Sequence, residues 1–266
     1  MSWTGASSER TTRWVSRAGV LAAVLAVLGV LGVMAPDGSA QAAEPAAQQP
    51  ASTSTVGWLV SSGQACTATV ISSTSRSLAV TAAHCVYRGS DWQLNGARFL
   101  PGYRNGTAPY GQWTVQTAWV PTAWQRGGGA AGDRGGQPVS DVAFLQLAPD
   151  QDGRRAQDVL GSQGIRFDER AGDEVTVLGY PGARGFDGER LVSCAGETTT
   201  IPMDDGDAVG VDCRSGEGAS GGPWIAGQDA DRAVVAVISS GESDRVYGHL
   251  FDAATERLYR QADQAG

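Results

Sequence analysis

Eight short runs of β-branched or alternating residues constrain this chain most. They are Val56–Val60, Ala65–Ile71, Ser77–Thr81, Trp113–Trp119, Val142–Leu147, Glu174–Leu178, Ala208–Val211 and Ala233–Ile238. Clusters of Gly, Asn, Asp and Pro lie between them. Residues of that kind turn the chain, so the pattern predicts strands rather than helices. Short strands at this spacing suit barrels or a sandwich. One amphipathic helix pattern stands out, Ala253–Gln261, where Leu258 and its neighbours can dock on a body. There is no internal repeat and no heptad run.

The first residues are set apart from that pattern. Arg10, Arg13 and Arg17 precede an uncharged run from Ala18 to Ala35, followed by the small residues around Ala40 and Ala42. A basic region, an apolar run and an A-x-A-like site predict a secretory signal peptide over residues 1–42. The alternative is a retained anchor, because a run of this length just spans a bilayer. No adjacent arginine pair precedes the run, so twin-arginine export has no support. Residues 43–55, rich in Ala, Gln, Pro, Ser and Thr, read as a flexible leader that buries too little apolar surface to order itself. The remainder suits one large all-β unit or two small lobes.

Charge excludes several functions. The formal net charge is −8, which argues against a nucleic-acid or anionic-membrane partner. All basic charge is arginine; there is no lysine. A Walker-type phosphate loop, a Schiff-base enzyme and a Ser–Lys dyad each require that amine and are ruled out. The Gly-rich patch Arg126–Gly136 has no G-x-G-x-x-G after a strand and reads as a mobile surface loop.

Four cysteines allow three pairings. Cys85 follows Cys66 by the same interval as Cys213 follows Cys194, and these local pairs are the economical choice in an exported chain. Zinc is the rival reading, but no C-x-x-C pair is present.

Two stretches carry chemistry. "SLAVTAAHCV" (Ser77–Val86) ends an apolar run in His84 and Cys85, although the chain has only two histidines. "GEGASGGPW" (Gly216–Trp224) sets Ser220 among glycines, so that backbone N–H groups can converge on one point without side-chain obstruction. An acyl-transfer nucleophile needs that: an exposed hydroxyl with donors aimed at the developing oxyanion.

In the order "TAAHC", "SDVAFLQL", "G-x-SGGP", these motifs resemble the chymotrypsin-like (trypsin-fold) serine endopeptidases over nearly the whole region after the leader. "FLPGYRNGTAPYGQW", "LGYPG" and the cysteine before "GASGGPW" look like secreted bacterial trypsin-like peptidases related to the glutamyl endopeptidase group. The resemblance implies an all-β fold of two six-stranded antiparallel β-barrels and a C-terminal α-helix. The implied boundaries are 56–160 and 161–251 for the barrels and 252–266 for the helix and tail. It implies His84 as general base, Asp141 as holder of the productive tautomer and Ser220 as nucleophile. Backbone N–H groups of Gly218 and Ser220 are the implied oxyanion hole, and Cys85 ties the histidine turn to Cys66.

The resemblance also places Ser239, Ser240 and Gly241 of "AVISSGES" beside the substrate backbone. Glutamate-specific relatives often carry a histidine where this chain has Ile238, which counts against glutamate preference. Arg214 and His249 are alternative sources of positive charge near the pocket, with surface or structural roles favoured. No acidic residue marks a pocket base, so an Arg/Lys preference has no support. Animal digestive relatives have an aspartate before the nucleophile that pairs with a newly cut N-terminus; here that residue is Ala219, so the oxyanion loop must be ordered otherwise. The implied partners are protein or peptide substrates, with no nucleic acid, no membrane after signal removal, and a secreted monomer. No metal and no organic cofactor is implied. The alternative function is a catalytically silent, protease-like binding protein.

Overall fold

A computed structural model describes residues 54–127, 141–202, 207–242 and 244–266. The expected signal peptide, most of the leader and most of the Gly-rich patch lie outside these residues. The first half runs β1 (Val56–Ser61), β2 (Gln64–Val70), β3 (Leu78–Thr81), a small hairpin of β4 (Tyr87–Arg88) and β5 (Asp91–Trp92), β6 (Arg98–Pro101), β7 (Trp113–Trp119) and β8 (Ala143–Leu147). Two short helices, α1 (Thr122–Arg126) and α2 (Ala156–Leu160), follow β7 and β8. The second half holds β9 (Gly164–Ile165), β10 (Glu174–Gly179), β11 (Val192–Glu197), β12 (Thr199–Ile201), β13 (Ala208–Asp212) and β14 (Pro223–Ala226). It ends with β15 (Ala233–Val237), β16 (Ser240–Gly241), β17 (Arg245–Gly248) and helix α3 (Ala253–Ala265).

The first half closes into a barrel in the order β1-β2-β3-β8-β7-β6, with β6 pairing back onto β1. Closure removes unpaired strand edges. Its core gathers Leu59, Val70, Phe99, Trp113, Leu145 and Leu147. The second half divides into a five-stranded sheet, β11-β10-β14-β15-β9, and a four-stranded sheet, β12-β13-β17-β16, rather than an uninterrupted ring of six. The two sheets curl about one core, in which Val175 and Val177 of β10 meet Val209 and Val211 of β13, Trp224 of β14 and Val246 of β17. This is the implied chymotrypsin-like fold, with one correction. The first barrel closes with six strands, whereas the second half curls as a half-barrel and pairs β9 with β15 in parallel, so it is not a second six-stranded antiparallel barrel.

A third cluster explains why β3 and β8 read as continuous apolar runs. Ala79, Leu145 and Leu147 face the first barrel's interior. Leu78, Val80 and Phe144 face the other way and pack with Leu178, Tyr180, Ile225 and Val237 of the second half. Strands buried on both faces lose the apolar–polar alternation of a half-exposed strand. The histidine strand is therefore clamped between two cores, which fixes the turn that follows it.

Helix α3 is the expected C-terminal helix, four residues longer than its apolar pattern. Asp252 caps its start, accepting from Ala254 N and Thr255 N at 3.0 and 2.8 Å. Its far end is tied to the first barrel, where Asp263 accepts from Thr74 N and Ser75 N at 3.0 and 2.8 Å.

Candidate active site

The chain leaves β3 and turns at once through a single 3-10 turn, Ala83–Cys85. His84 on that turn is 8% exposed. Its backbone N–H donates to Asp141 Oδ1 at 2.9 Å, and its Nδ1 lies 2.8 Å from Asp141 Oδ2. The carboxylate only accepts, so the Nδ1 contact places the proton there and leaves Nε2 as the free acceptor. Asp141 is 3% exposed and takes a third bond from Ser239 Oγ at 2.6 Å. Burying polar oxygens this deeply is offset only when donors meet them, as these three do.

Cys66 of β2 is joined to Cys85, and Cys194 of β11 to Cys213. The first disulfide packs on the imidazole: a ligand atom from each of Cys66, His84 and Cys85 lies within 4.8 Å of the others. With both sulfurs bonded to each other, this cluster is a packing contact and not a thiolate metal site. Cys85 Sγ also lies 3.8 Å from the carbonyl oxygen of Ser220. One bridge thus touches both the histidine turn and the serine loop.

The serine loop is pinned peptide by peptide. Gly216 O accepts from Ala219 N at 3.2 Å, Glu217 O from Gly182 N at 2.6 Å, and Ala219 O from Gly222 N at 2.9 Å. Gly218 O accepts from Thr67 Oγ1 at 3.0 Å, and Ser220 O from Thr67 N at 2.8 Å. In a trans peptide the N–H points opposite the preceding C=O. Holding the Glu217 and Ala219 carbonyls therefore aims the N–H groups of Gly218 and Ser220 away from those contacts. Neither N–H donates to an acceptor among the described residues. Gly218 adopts φ +94°, and an added Cβ there would lie 2.5 Å from Tyr180 O, so no other residue fits this close approach.

His84, Gly218 and Ser220 line one cleft of about 590 Å³, together with Trp58, Cys66, Arg88 and Tyr180. No hydrogen bond joins His84 to Ser220 among the described residues, a looseness common in the absence of substrate. Burial, with Tyr103 nearby, pushes the Tyr180 phenol above its ordinary value, so it stays neutral at physiological pH. Arg88, Asp187 and Glu217 are charged residues that line the cleft.

Of the residues expected beside the substrate, Ser239 is buried and spends its hydroxyl on Asp141. Ser240 and Gly241 are exposed on β16, the edge of the four-stranded sheet, with β17 on one side only. Arg214 lies over the Phe186 ring, 5.8 Å from its centroid, and donates to Arg184 O at 3.4 Å. Burial holds His249 below its ordinary value, so it supplies no positive charge at neutral pH, and its Nδ1 sits 3.3 Å from Asp207 O. Ile238 is buried in the second core. Thr67, which holds the serine loop, belongs to no motif in the sequence; its only local signal is its place after Cys66 in β2.

The fold and this cleft define a serine endopeptidase. The family model "Trypsin-like peptidase domain" matches residues 66–237, and the chain belongs to that family. Protease Anisep from Arthrobacter nicotinovorans is similar at TM-score 0.72 and 29% identity, over 82% of this chain and 99% of that one. The thermostable serine protease AL20 from an extremophilic microorganism gives TM-score 0.72 and 26% identity, over 80% of this chain and 99% of the other. A Glu endopeptidase shares the fold at TM-score 0.64 and 19% identity, over 82% and 96% of the two chains. No curated protein matches the sequence.

Proposed function

We propose that this endopeptidase is a secreted monomer that cleaves protein or peptide substrates through an acyl-enzyme, with His84, Asp141 and Ser220 as its triad. The observation that carries the reading is the buried Asp141–His84 pair, 2.8 Å apart, opening on the cleft that Ser220 also lines. His84 Nε2 takes the proton from Ser220 Oγ as the hydroxyl attacks the scissile carbonyl, and returns it to the leaving amine. The tetrahedral oxyanion is met by the unspent N–H groups of Gly218 and Ser220. Water then attacks the acyl-serine, again with His84 as base, and frees the acid and Ser220. The substrate backbone adds to the open edge at Ser240 and Gly241, an extended peptide extending a sheet. Export is supported by the basic–apolar–small N-terminal segment and by two disulfides, which persist in oxidising compartments.

The test is hydrolysis of a fluorogenic peptide by Ser220→Ala. Its side chain packs little, so the variant should fold and lose turnover by several powers of ten. Undiminished hydrolysis in a clean preparation contradicts the reading.

A further inference from the structure

Thr67 sits at the one point where the histidine strand, the first disulfide and the serine loop meet, and every polar group it owns is spent there. The residue is wholly buried. Its N–H donates to Ser220 O at 2.8 Å, its hydroxyl donates to Gly218 O at 3.0 Å, and the same hydroxyl accepts from Tyr180 N at 3.0 Å. Its carbonyl accepts from Thr81 Oγ1 at 2.8 Å, three residues before His84. We propose that Thr67 is a positioning residue that orders the oxyanion loop of Ser220, performing from the first barrel what an inserted N-terminus performs in digestive relatives. The inference rests on the reading of Ser220 and the Gly218 and Ser220 N–H groups given above.

The physical reason lies in which groups Thr67 holds. It takes the carbonyls of Gly218 and Ser220, the peptides on either side of the one that carries the Ser220 N–H. Gly218, at φ +94°, is the residue freest to rotate, and the hydroxyl bond stops the peptide that follows it from turning over. Position 219 offers no carboxylate to do this: it is an alanine, 1% exposed, packed so closely on Gly179 that an added Cβ there would lie 2.9 Å from the Ala219 Cβ. The hydroxyl is the working part. Two residues along the same strand, Thr69 is also wholly buried but its hydroxyl has no partner among the described residues. It is the natural control.

The experiment compares Thr67→Val, Thr67→Ser, Thr69→Val and Ser220→Ala in the mature protein. Steady-state hydrolysis of a peptide amide is measured together with affinity for a peptidyl boronic acid and for the matching product peptide. The boronic acid forms a tetrahedral adduct whose oxygen needs the oxyanion donors, whereas the product peptide draws most of its affinity from its backbone and side chains. Thr67→Val should lower kcat about tenfold to a hundredfold, below the full cost of deleting an oxyanion donor. It should weaken the boronic acid by a similar factor while KM and product affinity stay within about twofold. Thr67→Ser should recover both losses, and Thr69→Val should match the parent. If Thr67→Val does not fold, Thr67→Ala is read against Thr67→Ser on the same two ligands. Equal boronic-acid affinity in the hydroxyl-bearing and hydroxyl-free variants overturns the inference, as does a Thr67→Ser no more active than Thr67→Val. An inert Ser220→Ala beside a fully active Thr67→Val overturns this inference alone; an active Ser220→Ala overturns the reading beneath it.

Discussion

Ser239 Oγ lies 2.6 Å from Asp141 Oδ2, the same oxygen that pairs with His84 Nδ1 at 2.8 Å. The hydroxyl comes from the second half of the chain and the imidazole from the first, so one buried oxygen joins the halves at the site. Ser239→Ala removes a donor from a carboxylate that is only 3% exposed. Hydrogen bonds to charged groups contribute about 1.5–3 kcal/mol, and a stability loss of that size should appear in thermal unfolding. If about 1.4 kcal/mol of it enters the barrier, kcat falls about tenfold. Unchanged kcat and Tm would show that Asp141 does not depend on this hydroxyl.

The two disulfides should differ in effect although each spans the same sequence separation of 19. Loops of that length stabilise by about 3 kcal/mol in the chain-entropy model, so each paired Cys→Ala variant should lose a similar amount. Only the Cys66–Cys85 bridge touches the imidazole and the Ser220 carbonyl. Its removal should depress kcat well beyond the loss caused by removing Cys194–Cys213, measured at a temperature where both variants remain folded. Equal kcat in the two would separate the bridge from the site.

Gly221→Ala should be among the most damaging single changes. The residue holds φ +80°, and a Cβ there would run into Thr81 Oγ1 and the Thr67 carbonyl oxygen. Left-handed backbone costs an alanine about 1 kcal/mol, and the backbone clash adds to it. The expected outcome is an unfolded or inactive protein by circular dichroism and peptide hydrolysis. A folded, active Gly221→Ala would mean that the loop and β3 are less closely packed than described.

Acid should loosen α3 before it unfolds the barrels. Burial alone raises the carboxyls of Asp252 and Asp263, but backbone N–H donors outweigh it and hold both below the ordinary range. Groups lowered in the folded state stabilise fully above their unfolded value, near 4, and lose that contribution as pH falls through the lower folded value. Hydrogen exchange of residues 253–265 should therefore rise below about pH 4 while β3 and β8 stay protected. Asp252→Ala should cost about 1 kcal/mol at neutral pH as a lost helix cap, and remove most of that acid sensitivity. Protection of α3 that tracks the barrels at every pH would contradict this.

Local signals served where burial followed a simple rule and failed where it did not. The β-branched runs at β1, β2, β3, β7, β8, β10, β13 and β15 were visible because their side chains fill cores. Strand β11, "VSCAGE", lies at a sheet edge and is half-buried or exposed along its length, so it carries no apolar alternation. Strand β14 begins with a proline directly after the glycines of the serine loop, and β17, "RVYG", is only partly buried. The histidine, aspartate and serine stretches stood out because each sits in a compact motif. Thr67 did not, since its hydroxyl partners lie 151 and 113 residues away. Long-range hydrogen bonds of this kind leave no periodicity to read.

The covalent intermediate is where the proposed chemistry is most exposed to test. Mixing the protein with excess p-nitrophenyl ester of an acylated amino acid, quenching in acid within the first turnover and mapping the product by mass spectrometry locates the acyl group. The expected result is one acyl group on Ser220, absent from Ser220→Ala and formed several powers of ten more slowly by His84→Ala. An acyl group on another residue, or the same adduct in Ser220→Ala, would contradict the assignment of the nucleophile and the mechanism built on it.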